Sequence, residues 1–181
     1  MSIDEILSRV DSFPARHIVL TGGEPMVAKE IHALASALKT RGKHITIETA
    51  ATVPPSGIAC DLASLSPKLS NSRPDNRLPE SWRLKHDELR LQPGVIREWI
   101  THCPFQLKFV VASVADIQEI QLLLKQLDQS IPAVKVLLMP EGTSTEVLQE
   151  REPTLVELCK RYGYRYCHRL HVQLFGHTRG T

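Results

Sequence analysis

Short apolar runs alternate with amphipathic stretches along the whole chain. A short helix opens at a capping box formed by Ser2 and Glu5. After it, apolar runs of strand length are separated by segments with apolar residues every three or four positions, as in helices. For the first half the pattern predicts a strand at 17–20, a helix after Pro25 that ends at Gly42 with Ile31, Leu34, Ala35 and Leu38 on one face, strands at 44–48 and 62–65, and a long surface loop over 67–81.

The second half repeats this rhythm. The pattern predicts a strand at 105–111, a helix at 114–127, a strand at 134–138, a helix capped by Thr143 and Glu146 that runs towards Tyr162, and a final strand at 170–175. Strands that alternate with helices and are mostly continuous apolar runs indicate a largely parallel sheet in an α/β fold. Because no linker, repeat or low-complexity segment divides the chain, we expect one domain over residues 1–181.

Composition narrows the class of partner. The 181 residues are 42% hydrophobic and 23% charged, which is typical of a globular protein with a core. A net charge of +2 gives no reason to expect nucleic acid, so a small molecule is the expected partner. The acidic start at 1–5 does not resemble a signal peptide, and no apolar run is long enough to span a membrane. We therefore expect a cytoplasmic protein.

The four cysteines do not form a metal-binding motif. Cys60, Cys103, Cys159 and Cys167 are separated by 43, 56 and 8 positions, and no CxxC or CxxxCxxC spacing occurs. The spacing thus predicts no metal site. We expect four isolated thiols that behave as small apolar side chains.

Polar residues follow five of the predicted strands, at the edge where ligands collect in parallel α/β folds. These segments are 21–25, 48–49, 66–68, 140–142 and the stretch around His171. Gly22 and Gly23 allow a ligand to approach the backbone, Glu24 suits a ligand ammonium, and Lys68 suits a carboxylate or phosphate. Each also has a structural alternative: Glu24 in a tight turn, Glu48 as a rim carboxylate, Lys68 as a solvated lysine, and His171, paired with Gln173 on one strand face, as a hydrogen-bonded histidine.

Together these segments resemble the radical S-adenosylmethionine (SAM) superfamily and, within it, the 7-carboxy-7-deazaguanine synthase family. The resemblance is carried by the helix at Asp4-Glu5-Ile6, by Thr21-Gly22-Gly23-Glu24-Pro25 after its strand, and by segments 47–49, 65–68, 105–111, 170–176 and 179–180. Gly-Gly-Glu marks only the superfamily. The Ser66-Pro67-Lys68 element and the ending from His171 to Arg179-Gly180 mark the narrower family.

The resemblance implies a fold and a reaction. The fold would be a partial TIM-like (β/α) barrel of the radical SAM type that lacks its first strand and cluster loop. The reaction would be a radical SAM ring contraction of 6-carboxy-5,6,7,8-tetrahydropterin to 7-carboxy-7-deazaguanine with loss of ammonia, by a carbon–nitrogen lyase of queuosine and 7-deazapurine biosynthesis. The resemblance further implies SAM, a 4Fe-4S cluster and magnesium as cofactors, and a homodimer without a membrane or nucleic-acid partner.

The resemblance also assigns residues to the two ligands. It places SAM against Gly22, Gly23, Glu24, Glu48, Ser66, Pro67, Lys68, Met139, Pro140 and Glu141. It places the pterin substrate against Thr21, His171, Arg179 and the terminal carboxylate of Thr181.

The chain departs from the family pattern in two places. Ala50-Ala51 stands where the family pattern has Asn-Gly or a similar pair after the Glu-Thr. The CxxxCxxC motif, the strand that presents it and the magnesium-binding threonine are missing, so the cluster and magnesium have no ligands in this chain. Loss of a buried strand costs roughly 7–15 kcal/mol of apolar burial, against a typical net stability of about 5–15 kcal/mol.

We therefore expect Met1 to be an internal methionine of a longer reading frame, with a cluster-less relative as the second possibility. In either case the chain as given is expected not to cleave SAM. Two other functions are also compatible with the sequence. One is another radical SAM enzyme, such as an activase that installs a glycyl radical in a partner protein. The other is a non-catalytic SAM- or pterin-binding module, or a subunit completed by a separate cluster-bearing chain.

Overall fold

The computed structural model describes residues 1–127, 130–176 and 178, and in this part strands and helices alternate. The strands are β1 (His17–Leu20), β2 (His44–Thr49), β3 (Leu62–Leu65), β4 (Phe105–Val111), β5 (Val136–Pro140) and β6 (Arg165–Tyr166). The helices are α1 (Ile3–Asp11), α2 (Ile31–Thr40), α3 (Glu80–Leu89), α4 (Pro93–His102), α5 (Asp116–Gln126), α6 (Thr145–Tyr162) and α7 (Leu170–Phe175). Short 3₁₀ turns cover Pro25–Val27, Ser70–Ser72 and Ala133–Lys135.

The strands of the described chain form one parallel sheet in the order β1 to β6. Because parallel crossovers are right-handed, strands that follow one another in chain order place their connecting helices on the same face of the sheet. The sheet is open, since β1 and β6 form its two edges. This confirms the predicted α/β fold, with an open sheet rather than a closed barrel.

The two faces of the sheet differ in polarity. Along β2, Ile45, Ile47 and Thr49 are buried, whereas the residues that alternate with them are only partly covered. The buried face packs against the helices and forms the core, whose fully buried members include Leu38, Trp99, Leu107, Phe109, Ile120 and Leu123. The other face is free to carry polar side chains, and it does so at Glu48, Ser64, Gln106 and Lys108.

Two local predictions are confirmed in detail. The capping box of α1 has both of its hydrogen bonds, from the Glu5 amide to Ser2 Oγ (3.2 Å) and from the Ser2 amide to Glu5 Oε2 (2.7 Å). Gly42 follows the last turn of α2 with a φ of +68°, a left-handed conformation that favours glycine.

The predicted final strand at 170–175 is wrong, because these residues form α7. The last strand is the two-residue β6, whose Tyr166 lies beside Leu138 of β5. Leu170, Val172 and Leu174 alternate as in a strand, but only Val172 is buried. Within α7 the Val172 amide donates to Arg169 O (2.9 Å), so this short run satisfies its backbone by helix formation instead of strand pairing.

Three smaller differences concern helix boundaries. The segment after Pro25 begins as a 3₁₀ turn, and α2 starts only at Ile31. The loop predicted over 67–81 leads into α3 and α4, two helices that the sequence pattern did not predict. The predicted cap of α6 at Thr143 is wrong by one residue, since Ser144 Oγ accepts the bond from the Val147 amide (3.4 Å). Among the described helices, none is both long and apolar enough to cross a bilayer.

Two of the cysteines that are isolated in sequence are neighbours in the fold. Cys60 and Cys103 lie at the amino ends of β3 and β4, and the Cys103 thiol beside Cys60 lowers the pKa of Cys60. The same contact, together with burial, raises the pKa of Cys103. Cys159 is buried in α6, as expected for a small apolar side chain.

Candidate functional site

The turn after β1 brings the carboxylate of Glu24 against the end of β2. Glu24 accepts hydrogen bonds from Thr49 Oγ1 (2.7 and 2.8 Å to its two oxygens), from the Ala50 amide (3.0 Å) and from the Met26 amide (3.2 Å). Thr49 is only 2% exposed, and its Oγ1 accepts in turn from the Ala51 amide (2.9 Å). Glu24 therefore holds the ends of the first two strands in a fixed relation.

The residues before Glu24 leave the backbone accessible. Thr21, Gly22 and Gly23 are exposed, and a Cβ added at either glycine would meet no atom within 4 Å. The close approach of a ligand predicted for the two glycines is thus compatible with the open space around them. The predicted Thr21-to-Glu24 segment lies at the carboxyl edge of the sheet, as expected.

A polar row crosses the three neighbouring strands β2, β3 and β4. Glu48 lies beside Ser64, and Ser64 lies beside Gln106, whose Nε2 donates to Ser64 Oγ (3.0 Å). Two residues further along β4, on the same face of the sheet, Lys108 forms an ion pair through its ammonium with Glu48 across β3. Lys108 is 8% exposed, so this pair sits in a partly dry environment where electrostatic interactions are strong.

Lys108 and Gln106 were not among the predicted site residues. The signal that could have found them is the alternation within β4, where two polar residues interrupt an apolar strand at positions of the same face. Both point to the same side of the sheet as Glu48.

Lys68 lies two residues beyond Ser66, at the end of β3. The Ser66 amide donates to Thr49 O (2.8 Å), and Ser66 and Pro67 are both buried, which places this segment against the end of β2. Burial of Lys68 lowers its pKa, and the charges of Lys108 and Arg169 lower it further, although Glu48 and Glu24 act in the opposite direction. The predicted residues Glu24, Glu48, Ser66 and Lys68 are therefore brought together in one cluster.

The loop that carries Lys68 is held in place from α5. Glu119 accepts hydrogen bonds from the Ser70 amide (2.9 Å), Ser70 Oγ (2.7 Å) and Arg90 Nη1 (2.8 Å). Arg90 Nη1 also donates to Lys68 O (2.8 Å). Burial alone would raise the pKa of Glu119, but the bonds from Ser70 and Arg90 outweigh it and lower this pKa.

We expect Glu119→Gln to destabilise the protein at pH 7 by about 1–2 kcal/mol, because it weakens charge-assisted hydrogen bonds to Ser70 and Arg90. Since the folded-state pKa lies below the ordinary value of 4.5, this contribution is present above that pH and is lost as the pH falls through the lowered pKa. Urea denaturation at several pH values measures it. Glu98→Gln, at an exposed helix position, is the control, and a Glu119→Gln effect that persists unchanged at acidic pH would contradict this assignment.

The segment Met139-Pro140-Glu141 lies at the carboxyl end of β5, as predicted. The Glu141 amide donates to Val111 O (2.9 Å), and the Glu141 carboxylate forms an ion pair with Arg151 of α6. β5 is two strands away from β3, or about 10 Å along the sheet. This turn therefore flanks the central cluster on the side of β4, the strand that carries Lys108.

Of the three site residues predicted near the carboxyl terminus, the structure describes only His171. His171 is exposed and lies on α7, so its predicted pairing with Gln173 on one strand face is wrong. Arg179 and Thr181 lie outside the described residues. Arg169, which the sequence did not single out, lies immediately before α7, close enough to Lys68 for its charge to lower the pKa of that lysine.

A cavity of about 490 Å³ opens beside Lys68. Its walls come from Val53 in the loop after β2 and from His86, Leu89 and Gln92 around α3. The cavity joins apolar surface to a few polar groups and falls in the size range of small-molecule sites. The cluster thus combines carboxylates, cations and an adjoining amphipathic cavity.

Three relatives of this chain carry the same name. The chain is 42% identical to the 7-carboxy-7-deazaguanine synthase of Rhodopirellula baltica, covering 99% of this chain and 69% of that protein. It is 38% identical to the enzyme of the same name from Halobacterium salinarum (97% of this chain, 71% of that protein). A third relative of that name, from Pyrobaculum aerophilum, is 28% identical (99% of this chain, 75% of that protein). No family model matches the chain.

A solved structure agrees at the level of the fold. The crystal structure of QueE from Escherichia coli superposes with a TM-score of 0.64 at 22% identity and covers 93% of this chain. The chain spans 64% of the length of that solved protein. With relatives at 42% and 38% identity, of which it covers 69% and 71%, the chain belongs to the 7-carboxy-7-deazaguanine synthase family.

Proposed function

We propose that this chain forms the SAM- and pterin-binding part of a radical SAM 7-carboxy-7-deazaguanine synthase and that it does not itself supply the iron–sulfur ligands. The observation that carries the proposal is the cluster of Glu24, Glu48, Lys68 and Lys108 at the carboxyl edge of β1 to β4. Family membership is shown by the relatives, and the role of each residue below is our inference from the geometry.

The residues of the β1 turn fit the amino-acid end of SAM. A carboxylate has about four acceptor positions, and Glu24 receives three donors from Thr49, Ala50 and Met26. Thr49 Oγ1 contacts both carboxylate oxygens, so these donors occupy the acceptor positions of Glu24. Among the described residues no cation forms an ion pair with Glu24, so its negative charge, next to the open backbone of Gly22 and Gly23, is available to attract a ligand ammonium. The role of Glu24, Gly22 and Gly23 would be to hold SAM at this edge, and a 4Fe-4S cluster bound by ligands outside this chain would supply the electron for its cleavage.

The polar row fits the hydrogen-bonding edge of a pterin. The Glu48 carboxylate is an acceptor suited to the ring N–H and amino groups of a pterin, and Lys108 keeps it in place. Lys68 offers a cation for a ligand carboxylate. Thr21 adds a hydroxyl at the same edge of the sheet.

The cysteines of this chain do not fit a 4Fe-4S cluster. Cys60 and Cys103 precede β3 and β4 at the amino edge, Cys159 is buried in α6, and Cys167 follows β6 at the opposite edge. A cluster needs several thiolates around one small volume. Within the residues that the structure describes, no group of three or more His, Cys, Asp or Glu side chains could hold a metal ion.

Anaerobic reconstitution tests this proposal. The 181-residue chain, treated with iron, sulfide and a reductant, should form no SAM-cleaving cluster and release no 5′-deoxyadenosine. When a segment that carries the family's CxxxCxxC motif is joined ahead of Met1, SAM and 6-carboxytetrahydropterin should give 7-carboxy-7-deazaguanine. Two results would overturn the proposal: SAM cleavage by the chain alone, or an extended protein that cleaves SAM and leaves the pterin unchanged.

A further inference from the structure

Around Lys68, at the carboxyl edge of the sheet, cations outnumber carboxylates. Three cations lie there, Lys68, Lys108 and Arg169, together with the carboxylates Glu24 and Glu48. Lys108 forms an ion pair with Glu48. Glu24 accepts hydrogen bonds from the Thr49 hydroxyl and from the Ala50 and Met26 amides. Within the described part of the chain, Lys68 and Arg169 have no ion-pair partner.

Arg169 has a buried Nε with no hydrogen-bond partner, which is costly for a guanidinium N–H group. Arg83 and Arg90 share this feature, but Arg90 forms ion pairs with Asp87 and Glu119, and Arg169 is the one of the three whose charge acts on Lys68. The carboxylate of Glu152 on α6 does not meet this need, because it accepts from Tyr166 Oη (2.9 Å) and contacts His168 Nδ1 (2.9 Å). Among the residues that the structure describes, the Arg169 Nε therefore has no hydrogen-bond acceptor.

Arg169 and Lys68 also oppose each other electrostatically. Burial and the nearby cations lower the pKa of Lys68. Two cations in a partly buried site repel each other unless an anion lies between them. The fork of a guanidinium and the point charge of an ammonium are the usual pair for holding a carboxylate.

We infer that Arg169 and Lys68 together form the receptor for a carboxylate of the bound ligand. This inference rests on the proposed function, because both ligands of that reaction carry a carboxylate: the 6-carboxyl group of the pterin and the methionyl carboxylate of SAM. Arg169 thereby becomes a ligand-binding residue.

Titration calorimetry with matched ligand pairs tests the receptor. The probes are 6-carboxypterin against pterin, and SAM against 5′-methylthioadenosine, which lacks the amino-acid end. Arg169→Ala should weaken the binding of the carboxylated member of one pair about 10- to 30-fold and leave its uncharged partner unchanged. Arg169→Lys should recover part of the loss, and Arg165→Ala, at an exposed position of β6, should change nothing.

The outcomes separate this inference from the proposed function. A selective loss for 6-carboxypterin or for SAM supports the receptor and identifies which carboxylate it takes. Equal affinity of wild type and Arg169→Ala for both carboxylated ligands overturns the receptor while leaving the proposed function intact. Wild-type protein that binds none of the four probes overturns both.

Thermal denaturation shows whether a loss of binding by Arg169→Ala is caused by unfolding of the variant. Since Arg169 has a buried unpartnered N–H in the free protein, Arg169→Ala should be at least as stable as wild type without ligand. It should lose the stabilisation that 6-carboxypterin or SAM gives to wild type. A variant that is strongly destabilised without ligand would contradict the inference, because it would show a structural partner for Arg169.

Discussion

Replacement of Glu24 by alanine should lower the free energy of unfolding by about 2–4 kcal/mol and remove detectable SAM binding. The variant leaves the Thr49 hydroxyl and the Ala50 and Met26 amides without their acceptor, and Thr49 is only 2% exposed to water. For a chain of 181 residues this corresponds to a fall in Tm of roughly 5–15 °C. Differential scanning calorimetry and SAM titration measure the two effects.

The Glu24→Gln variant separates the two roles of the carboxylate. A glutamine keeps the shape and one acceptor oxygen, but its NH2 group must face either the Met26 or the Ala50 amide. Part of the stability should therefore return, whereas the negative charge for a ligand ammonium is lost. Thr49→Val removes only the hydroxyl from the same contact and should cost less than Glu24→Ala. If Glu24→Ala unfolds at the wild-type temperature, the carboxylate does not hold the two strand ends together.

Trp99→Ala should be the most destabilising single change, at about 3–5 kcal/mol. Trp99 is fully buried between α4 and the sheet, and its Nε1 donates to Val53 O (2.9 Å) in the loop after β2. Because Val53 lines the cavity beside Lys68, the variant should also weaken 6-carboxypterin binding. Urea denaturation gives the stability, and calorimetric titration gives the affinity.

Trp99→Phe is the matched control for this prediction. It keeps an aromatic ring in the core and removes only the bond to Val53 O, so it should cost about 1–2 kcal/mol. Ligand binding should fall in both variants if the Trp99 bond positions the loop. Unchanged 6-carboxypterin affinity in a folded Trp99→Phe protein would show that the loop keeps its place without this bond.

The sequence predicted most of the sheet because its strands are buried and continuous. β1, β3 and β4 have the predicted bounds, and β2 is longer by one residue. The error at α7 has a physical cause: a six-residue run with apolar residues at alternate positions fits either a strand or a helix. Only its neighbours decide, and here β5 pairs instead with the two residues of β6.

The candidate site was predictable where its residues follow strands in sequence. Glu24, Glu48, Ser66 and Lys68 were found in this way. Lys108 was missed because its partner Glu48 is 60 positions away, and only the register of β2, β3 and β4 brings the two together. Arg169 was missed because the segment around it was interpreted as a strand.

The central claim, that the carboxyl edge of this sheet binds SAM and a carboxylated pterin, is tested most directly by amide chemical-shift mapping. A ¹H–¹⁵N spectrum of the 20.3 kDa chain can be followed while SAM and 6-carboxypterin are added. We predict saturable shifts at Gly23, Ala50, Ser66 and Lys68 and unchanged signals at Cys60 and Cys103 on the amino edge. Shifts confined to the amino edge, or none at saturating ligand, would contradict the account.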